Sequence, residues 1–313
     1  MSDLILHHYW QSPFAHKIRL ALALAGCEWY SVVIPRIPPK PFLLPLTAGY
    51  RRTPVLQIGC DIHCDTRQII STLADRGLRI NFFPEKIEGK ALSYTSWIDS
   101  VIFELAVRVV ITCSLESAPL EFINDRGGLY FGLHWTPKKL KRELPSIIAQ
   151  MAAEFDSIEK SIPDIGGIFS KKYSFADISI AYIAWFIRGR WNEGATFLSQ
   201  FPKIERIEKE VNEICEDQYT KMEGPVALQE AKWAISLSPR GVFSKVRSDL
   251  LEGEMVEIRP QKQSIDPPTI GRLRYLDNLQ VSIDHYTEIC GEVVVHLPLA
   301  GYQVNAISSD KSR

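Results

Sequence analysis

The sequence contains no apolar run that approaches the roughly 20 residues needed to cross a bilayer as a helix. Its most apolar stretch, 178–187, is far shorter and is typical of a buried helix. The first nine residues have neither the basic region nor the apolar block of a secretory signal peptide. We therefore expect a soluble, cytoplasmic protein that has no membrane partner.

Cysteine is scarce and scattered, and no Cys-x-x-Cys pair occurs. This spacing predicts free thiols in a reducing compartment, without a disulfide framework or a structural zinc site. Basic and acidic side chains nearly cancel, with 36 Lys and Arg against 37 Asp and Glu, so no basic field is present to hold nucleic acid. The six cysteines are Cys27, Cys60, Cys64, Cys113, Cys215 and Cys290.

The chain has 313 residues, enough for about two domains and an appendage. Two apolar stretches, 4–9 and 29–34, have the composition of strands. Between them, apolar residues recur at helical spacing, and Gly26 stands where a helix would end. A strand, a helix and a second strand predict a parallel pair of strands.

Five prolines occupy the next segment, 35–52, and predict an ordered loop with at most a short helix. Two strands are predicted to follow, at 53–58 and 62–64. Asp65 and Thr66 can cap a helix over 67–76. This order predicts a small α/β domain of the thioredoxin-like kind.

Beyond residue 86 the apolar spacing becomes helical and then, after 225, strand-like. We predict long helices over 91–111, 138–161, 176–187 and 204–215. We also predict a helix at 227–235, strands over 255–258, 271–276, 279–283, 292–297 and 302–306, and a frayed tail at 308–313. The predicted domains are a thioredoxin-like domain at 1–80, an all-α domain at 86–225 and a β-rich module at 226–313, here called the extension.

Ser12 lies between the first strand and the first helix, where a thioredoxin-like redox protein has its Cys-x-x-Cys pair. Ser12 and Ala15 replace the two sulfurs, which excludes dithiol exchange. A hydroxyl at a helix N-terminus favours an anion there, and a bound thiol would be shifted toward thiolate. The alternative is that Ser12 only caps the helix.

Two further elements can bind a peptide-like ligand. A cis bond between Thr53 and Pro54 would turn the polar backbone groups of Thr53 outward, whereas a trans bond would make Pro54 an ordinary edge-strand proline. The Asp65 carboxylate and the Thr66 hydroxyl could hold a ligand's ammonium and carboxylate groups. The alternative is again a simple helix cap.

In this order and spacing, the three elements resemble the glutathione transferase superfamily. Trp10–Gly26 is similar to its serine-type classes, Tau in particular, and Thr53–Leu56 stands where the family has its cis-proline. Cys64–Thr66 stands where the family usually has Glu-Ser. Tyr173–Ile178 is similar to the family's buried capping motif, and Phe201–Ile204 to its next helix start. The resemblance covers about residues 4–220.

The resemblance implies a transferase that conjugates reduced glutathione, its co-substrate, to a small electrophile, as detoxifying enzymes do. It assigns Ser12 to catalysis and implies a homodimer with no metal. It also implies one set of side chains that bind glutathione and a second set that lines an electrophile pocket between the domains. Phe14 belongs to both sets. The glutathione residues are Phe14, Lys40, Thr53, Pro54, Asp65 and Thr66, and those of the electrophile pocket are Trp10, Trp97, Val101 and Arg108.

Two other functions are compatible with the same residues. The protein could bind a ligand or a partner without catalysis, or it could be a glutathione-dependent isomerase or lyase that regenerates the tripeptide. The extension lies outside the ordinary length of the family and resembles an addition found on some bacterial and fungal members. Its His296, in an apolar strand, is typical of a structural histidine with satisfied hydrogen bonds.

Overall fold

The computed structural model describes residues 3–214, 218–247 and 249–307. They form two compact units, one from the described parts of 1–12, 28–72 and 219–313 and the other from those of 13–27 and 73–218. The three consecutive domains stay a prediction, since each unit combines segments that are distant in the chain. The predicted tail at 308–313, and Cys215 at the end of a predicted helix, lie outside the described residues.

The first unit is built on one mixed sheet. In chain order, strands β1 to β11 are Ile5–His8, Trp29–Val33, Val55–Ile58, Asp61–Cys64, Tyr219–Lys221, Gly241–Val242, Met255–Pro260, Thr269–Leu276, Gln280–Thr287, Gly291–Pro298 and Tyr302–Ala306. Their order in the sheet is β11-β7-β8-β9-β10-β4-β3-β1-β2-β5, and β6 pairs with β8. The strands predicted in the N-terminal part and in the extension are all present.

The N-terminal strands have the predicted thioredoxin-like arrangement. β1 and β2 are parallel, β3 is antiparallel to β1, and β4 is antiparallel to β3. The proline-rich loop between β2 and β3 contains a single short turn of helix, Leu44–Leu46, as its composition predicts. Gly26 ends the first helix with a φ of 65°, a conformation that costs glycine little.

The extension continues this sheet. β10 lies parallel to β4, with Val294 opposite Asp61 and His296 opposite His63. Buried side chains on the two sides of this joint, such as Ile62 and Val295, belong to one apolar core. The β-rich module is therefore part of the same folded layer as the N-terminal strands.

The second unit is helical. In chain order, helices α1 to α11 are Pro13–Leu24, Thr66–Leu73, Arg79–Phe82, Glu88–Trp97, Phe103–Cys113, Leu120–Phe131, Pro137–Ser161, Phe175–Arg190, Gly194–Leu198, Pro202–Ile214 and Gly224–Trp233. Of these, α2 and α11 belong mainly to the first unit. The four predicted long helices are confirmed, and three shorter ones, α3, α6 and α9, were not predicted. A wider π-helical turn, Ile98–Ile102, joins α4 to α5 within the helix predicted over 91–111.

A buried capping box starts α8, as the sequence predicts. The Ser174 hydroxyl accepts a hydrogen bond from the Ala176 N–H at 3.3 Å, and the Asp177 carboxylate accepts one from the Ser174 N–H at 2.8 Å. Asp177 also accepts a bond from the Ile168 N–H at 2.7 Å, which ties the preceding loop to the helix start. Among the described residues, no helix has the length and apolar character that crossing a membrane requires.

Candidate functional site

Strand register places the three sequence elements at one end of the first unit's sheet. His7, near the end of β1, lies opposite Val55 at the start of β3, and Val55 lies opposite Cys64 at the end of β4. The segments that follow β1, precede β3 and follow β4 therefore all leave the sheet at this end. These segments contain Ser12, Thr53 and Asp65, and they form the candidate site.

Ser12 is the residue immediately before α1. Its side chain is buried, at 2% exposure, and its N–H donates to the Tyr9 carbonyl at 3.1 Å. Pro13 is the first residue of α1. The N–H of a residue at this position makes no hydrogen bond within the helix, so proline is well tolerated there. The turn after β1 thus fixes a hydroxyl at the start of a helix.

The bond between Thr53 and Pro54 is cis. Pro54 is buried just before β3, and the Thr53 hydroxyl accepts a hydrogen bond from Lys40 Nζ at 3.1 Å. The same ammonium donates to the Arg51 carbonyl at 2.9 Å. Lys40 is therefore buried beside Thr53, and the structure brings together these two residues that the sequence analysis selected separately.

Asp65 and Thr66 form the start of α2. Asp65 has a φ of 77°, which is uncommon outside glycine, and its Oδ1 accepts from the Arg67 N–H at 2.9 Å. The carboxylate therefore does act as a helix cap. Its Oδ2 accepts from the hydroxyl of Tyr302, in the extension, at 2.9 Å.

The neighbouring Cys64 is not a reactive thiol. Burial, and then the negative charge of Asp65, raise the pKa of Cys64 well above its ordinary value. The thiol stays protonated at neutral pH, and only the thiolate is a strong nucleophile. Cys64 therefore does not supply a thiolate nucleophile at this end of the sheet.

Two groups of side chains beside the site, one charged and one phenolic, were not predicted. Arg51 and Arg52 donate to the two oxygens of Asp266, at 2.7 and 2.6 Å. Burial opposes the charge of Asp266, but the charge of Arg52 and its hydrogen bond outweigh this and lower the pKa of the carboxyl. Burial, followed by the negative charge of Asp65, raises the pKa of the neighbouring phenols Tyr50 and Tyr302 well above the ordinary value. Asp266 and Tyr302 are more than 200 positions from their partners, and no local pattern indicates them.

The side chains assigned to an electrophile pocket belong to different units. Trp10, in the first unit, packs on Tyr219 with ring centroids 5.2 Å apart. Phe14, in the second, packs on Phe103 at 4.5 Å. Phe14 was also assigned to glutathione, and both of its assignments stay predictions.

Within the second unit, three of the assigned residues differ in their surroundings. Val101 is 39% exposed, and Trp97 packs on Tyr94. Arg108 donates to Glu104 at 3.1 Å and forms an ion pair with Glu143 at 3.7 Å, which offsets its charge. The pocket itself stays a prediction.

Comparisons with known proteins agree with this geometry. The family model for the glutathione S-transferase N-terminal domain matches residues 11–76, which include Ser12, Thr53 and Asp65. No match was found among the curated proteins.

Several solved structures are similar to the chain. A GST-like protein from Pseudomonas syringae is 28% identical, with a TM-score of 0.73, and the match covers 98% of this chain and 100% of that one. Poplar glutathione transferase F1 is 11% identical, with a TM-score of 0.51 and coverage of 75% and 100%. A Pseudomonas fluorescens family member with two glutathione bound is 14% identical, with a TM-score of 0.50 and coverage of 67% and 88%. The first match spans nearly the whole chain and so includes the extension.

Proposed function

Because the chain belongs to the glutathione transferase superfamily, we propose that it binds reduced glutathione at the end of the sheet that carries Ser12, Thr53 and Asp65. We further propose that it conjugates the tripeptide's sulfur to a small electrophile. The observation that supports this best is the register of β1, β3 and β4, which gathers three distant segments at one place.

Each part of glutathione has a chemically suitable partner in this proposal. The Asp65 carboxylate attracts the ammonium of the γ-glutamyl group, and the Thr66 hydroxyl donates to its carboxylate. The backbone of Thr53, which lies just before β3, pairs with the cysteinyl peptide groups. Lys40 supplies positive charge beside Thr53 toward the glycine carboxylate.

Ser12 carries the chemistry. Its hydroxyl donates a hydrogen bond to the sulfur, and the positive end of the helix dipole at the start of α1 favours a negative charge there. Both effects stabilise the thiolate over the thiol, and each unit by which the thiol pKa falls corresponds to about 1.4 kcal/mol. The thiolate then attacks the electrophile, and the leaving group departs with the bonding electrons.

The test is conjugation of glutathione to an aryl halide, followed by absorbance. Ser12→Ala removes one donor to the developing charge and should lower turnover on the order of 10²-fold. It should also move the acidic limb of the pH–rate profile upward, because the bound thiol ionises less readily. Ser157→Ala is the matched control: Ser157 is exposed near the C-terminal end of α7, and its replacement should leave the rate unchanged.

The outcomes separate this function from its alternatives. An unchanged rate in Ser12→Ala would remove Ser12 from the mechanism. Glutathione that is bound but never consumed, with no product from any electrophile, would indicate a binding protein. Product formation with glutathione regenerated would indicate an isomerase or lyase, and mass balance of the tripeptide measures this directly.

We also propose that the electrophile is held by Trp10, Phe14, Trp97, Val101 and Arg108, and that the protein acts as a cytoplasmic homodimer by analogy with the family. Replacing Val101 with a larger side chain should change KM for the electrophile and leave KM for glutathione unchanged. Sedimentation of the full chain measures its oligomeric state, and a monomer at micromolar concentration would contradict the dimer.

A further inference from the structure

The extension contacts the segments of the candidate site at several points. Asp266 joins Arg51 and Arg52, the residues just before Thr53. In the following strand, β8, the Ile270 N–H donates to the Ala48 carbonyl at 3.2 Å. The Cys290 thiol donates to the Pro45 carbonyl at 3.2 Å. The backbone of Pro268 packs so closely on Gly49 that a Cβ atom at Gly49 would lie 2.9 Å from the Pro268 carbonyl oxygen. The loop that precedes Thr53 is thus held by residues from the C-terminal part of the chain.

Tyr302 makes the most direct of these connections. It is the first residue of β11 and is partly buried, and its hydroxyl donates to Asp65 Oδ2 at 2.9 Å. The Arg67 N–H donates to the other carboxylate oxygen, also at 2.9 Å. Two donors from different parts of the chain therefore fix the plane of this carboxylate.

The hydroxyl of Tyr302 is suited to be a permanent donor. Burial, followed by the charges of Asp65 and Tyr50, raises the pKa of Tyr302 well above its ordinary value, so the phenol keeps its proton at neutral pH. Its single hydrogen is donated to Asp65.

We propose that Tyr302 is a positioning residue for glutathione binding and that the extension is an integral part of the glutathione site. This inference rests on the proposed function, in which Asp65 binds the γ-glutamyl ammonium. A carboxylate held by two donors is already ordered in the free protein. Binding of the ammonium therefore costs little further conformational entropy of the Asp65 side chain. Without Tyr302, Asp65 can rotate away from the ligand.

The experiment is calorimetric titration of the full chain with reduced glutathione. Tyr302→Phe keeps the ring and removes the hydroxyl, and it should weaken binding about tenfold, as expected for the loss of a hydrogen bond to a charged group. Tyr286→Phe is the matched control, because Tyr286 lies in β9 of the same module and is 65% exposed. Its affinity should equal that of the wild type.

A double-mutant cycle tests whether Tyr302 acts through Asp65. In the Asp65→Asn background, Tyr302→Phe should lower affinity less than threefold, because the group that it positions has already lost its charge. N-acetyl-cysteinylglycine, which lacks the γ-glutamyl ammonium, should bind Tyr302→Phe and wild type equally. An equal loss of both ligands would show a general structural role and overturn the proposal.

Failure of this inference can be distinguished from failure of the proposed function. If the wild-type chain binds glutathione and Tyr302→Phe binds it equally well, or if the two losses multiply in the double variant, the positioning role is wrong and the function stands. If the wild-type chain does not bind glutathione at millimolar concentration, the function and the inference are both overturned.

Discussion

His7 is a residue whose charge state is set by its burial. It lies fully buried in β1, with Nε2 2.8 Å from Gln57 Oε1. Burial lowers the pKa of His7 from 6.5 to about 4, although the hydrogen bond to Gln57 opposes this shift. Between these two pH values the unfolded chain binds a proton that the folded chain does not.

The stability that depends on His7 is therefore complete above pH 6.5 and is lost as the pH falls through about 4. The difference in pKa corresponds to about 3 kcal/mol. Between pH 6.5 and about pH 4, the free energy of unfolding should fall by about 3 kcal/mol less in His7→Gln than in the wild type. This difference holds even if the variant is less stable at pH 7. Urea unfolding at a series of pH values measures it. The exposed His134→Gln should reproduce the wild-type slope, and an equally steep slope in His7→Gln would contradict the assignment.

A second residue-scale network holds the joint between β4 and β10. His296 has Nε2 2.9 Å from Asp61 Oδ1 and Nδ1 2.8 Å from the Ser282 hydroxyl. Burial raises the pKa of Asp61, but the hydrogen bonds from His296 and Ser238 outweigh this and lower it to about 2. Ser282 and His296 are both buried, so the trio resembles a hydrolase triad in composition only. Its role is to satisfy polar groups at the joint, in agreement with the structural interpretation of His296.

At the scale of elements, the start of α8 concentrates buried polar groups on one carboxylate. Asp177→Ala would leave the N–H groups of Ile168 and Ser174 buried without this acceptor. Each such group costs about 1–3 kcal/mol, so we expect a loss of about 3 kcal/mol or more. Thr136→Ala removes an exposed cap at the start of α7 and should cost about 1 kcal/mol. Urea unfolding followed by helical circular dichroism compares them, and equal losses would contradict the special role of Asp177.

The elements that sequence patterns predicted, and those that they did not, differ for physical reasons. Long helices and paired strands have a regular apolar face, which the sequence displays directly. α6 was not predicted because it contains Gly127 and Gly128, which lower helix propensity. In the structure Gly127 is required by packing, since a side chain there would begin 1.9 Å from the Trp135 ring. β5 is three exposed residues long and has no apolar face to reveal it.

The candidate site shows the same division. The residues of local motifs, such as Ser12, Thr53 and Asp65, could be selected from sequence, because turns and helix caps constrain nearby positions. Tyr302 and Asp266 could not be selected, because their contacts with the N-terminal segments depend on how strands that are distant in the chain assemble into one sheet. A pattern of alternating side chains predicts a strand but does not determine its neighbour.

At the scale of the whole molecule, the shared sheet predicts that the extension and the N-terminal strands unfold together. Val295 in β10 and Ile62 in β4 are fully buried, lie opposite each other and belong to one core. Val295→Ala leaves a small cavity in that core and should cost about 2 kcal/mol. If the core is one cooperative unit, the free energy of opening should fall by the same amount for amides in β1 and β3 as for those in β9 and β10.

Native-state hydrogen exchange measures these opening free energies strand by strand. Val246→Ala makes the same chemical change at a position that is 84% exposed, and it should leave the exchange rates of all four strands unchanged. If Val295→Ala weakened protection only in β9 and β10, the extension would be an independent module that merely abuts the N-terminal strands. A parallel loss in β1 and β3 would mean that mutations in the extension can disturb the segments around Ser12 and Asp65 from a distance, because those segments leave the sheet at the ends of these same strands.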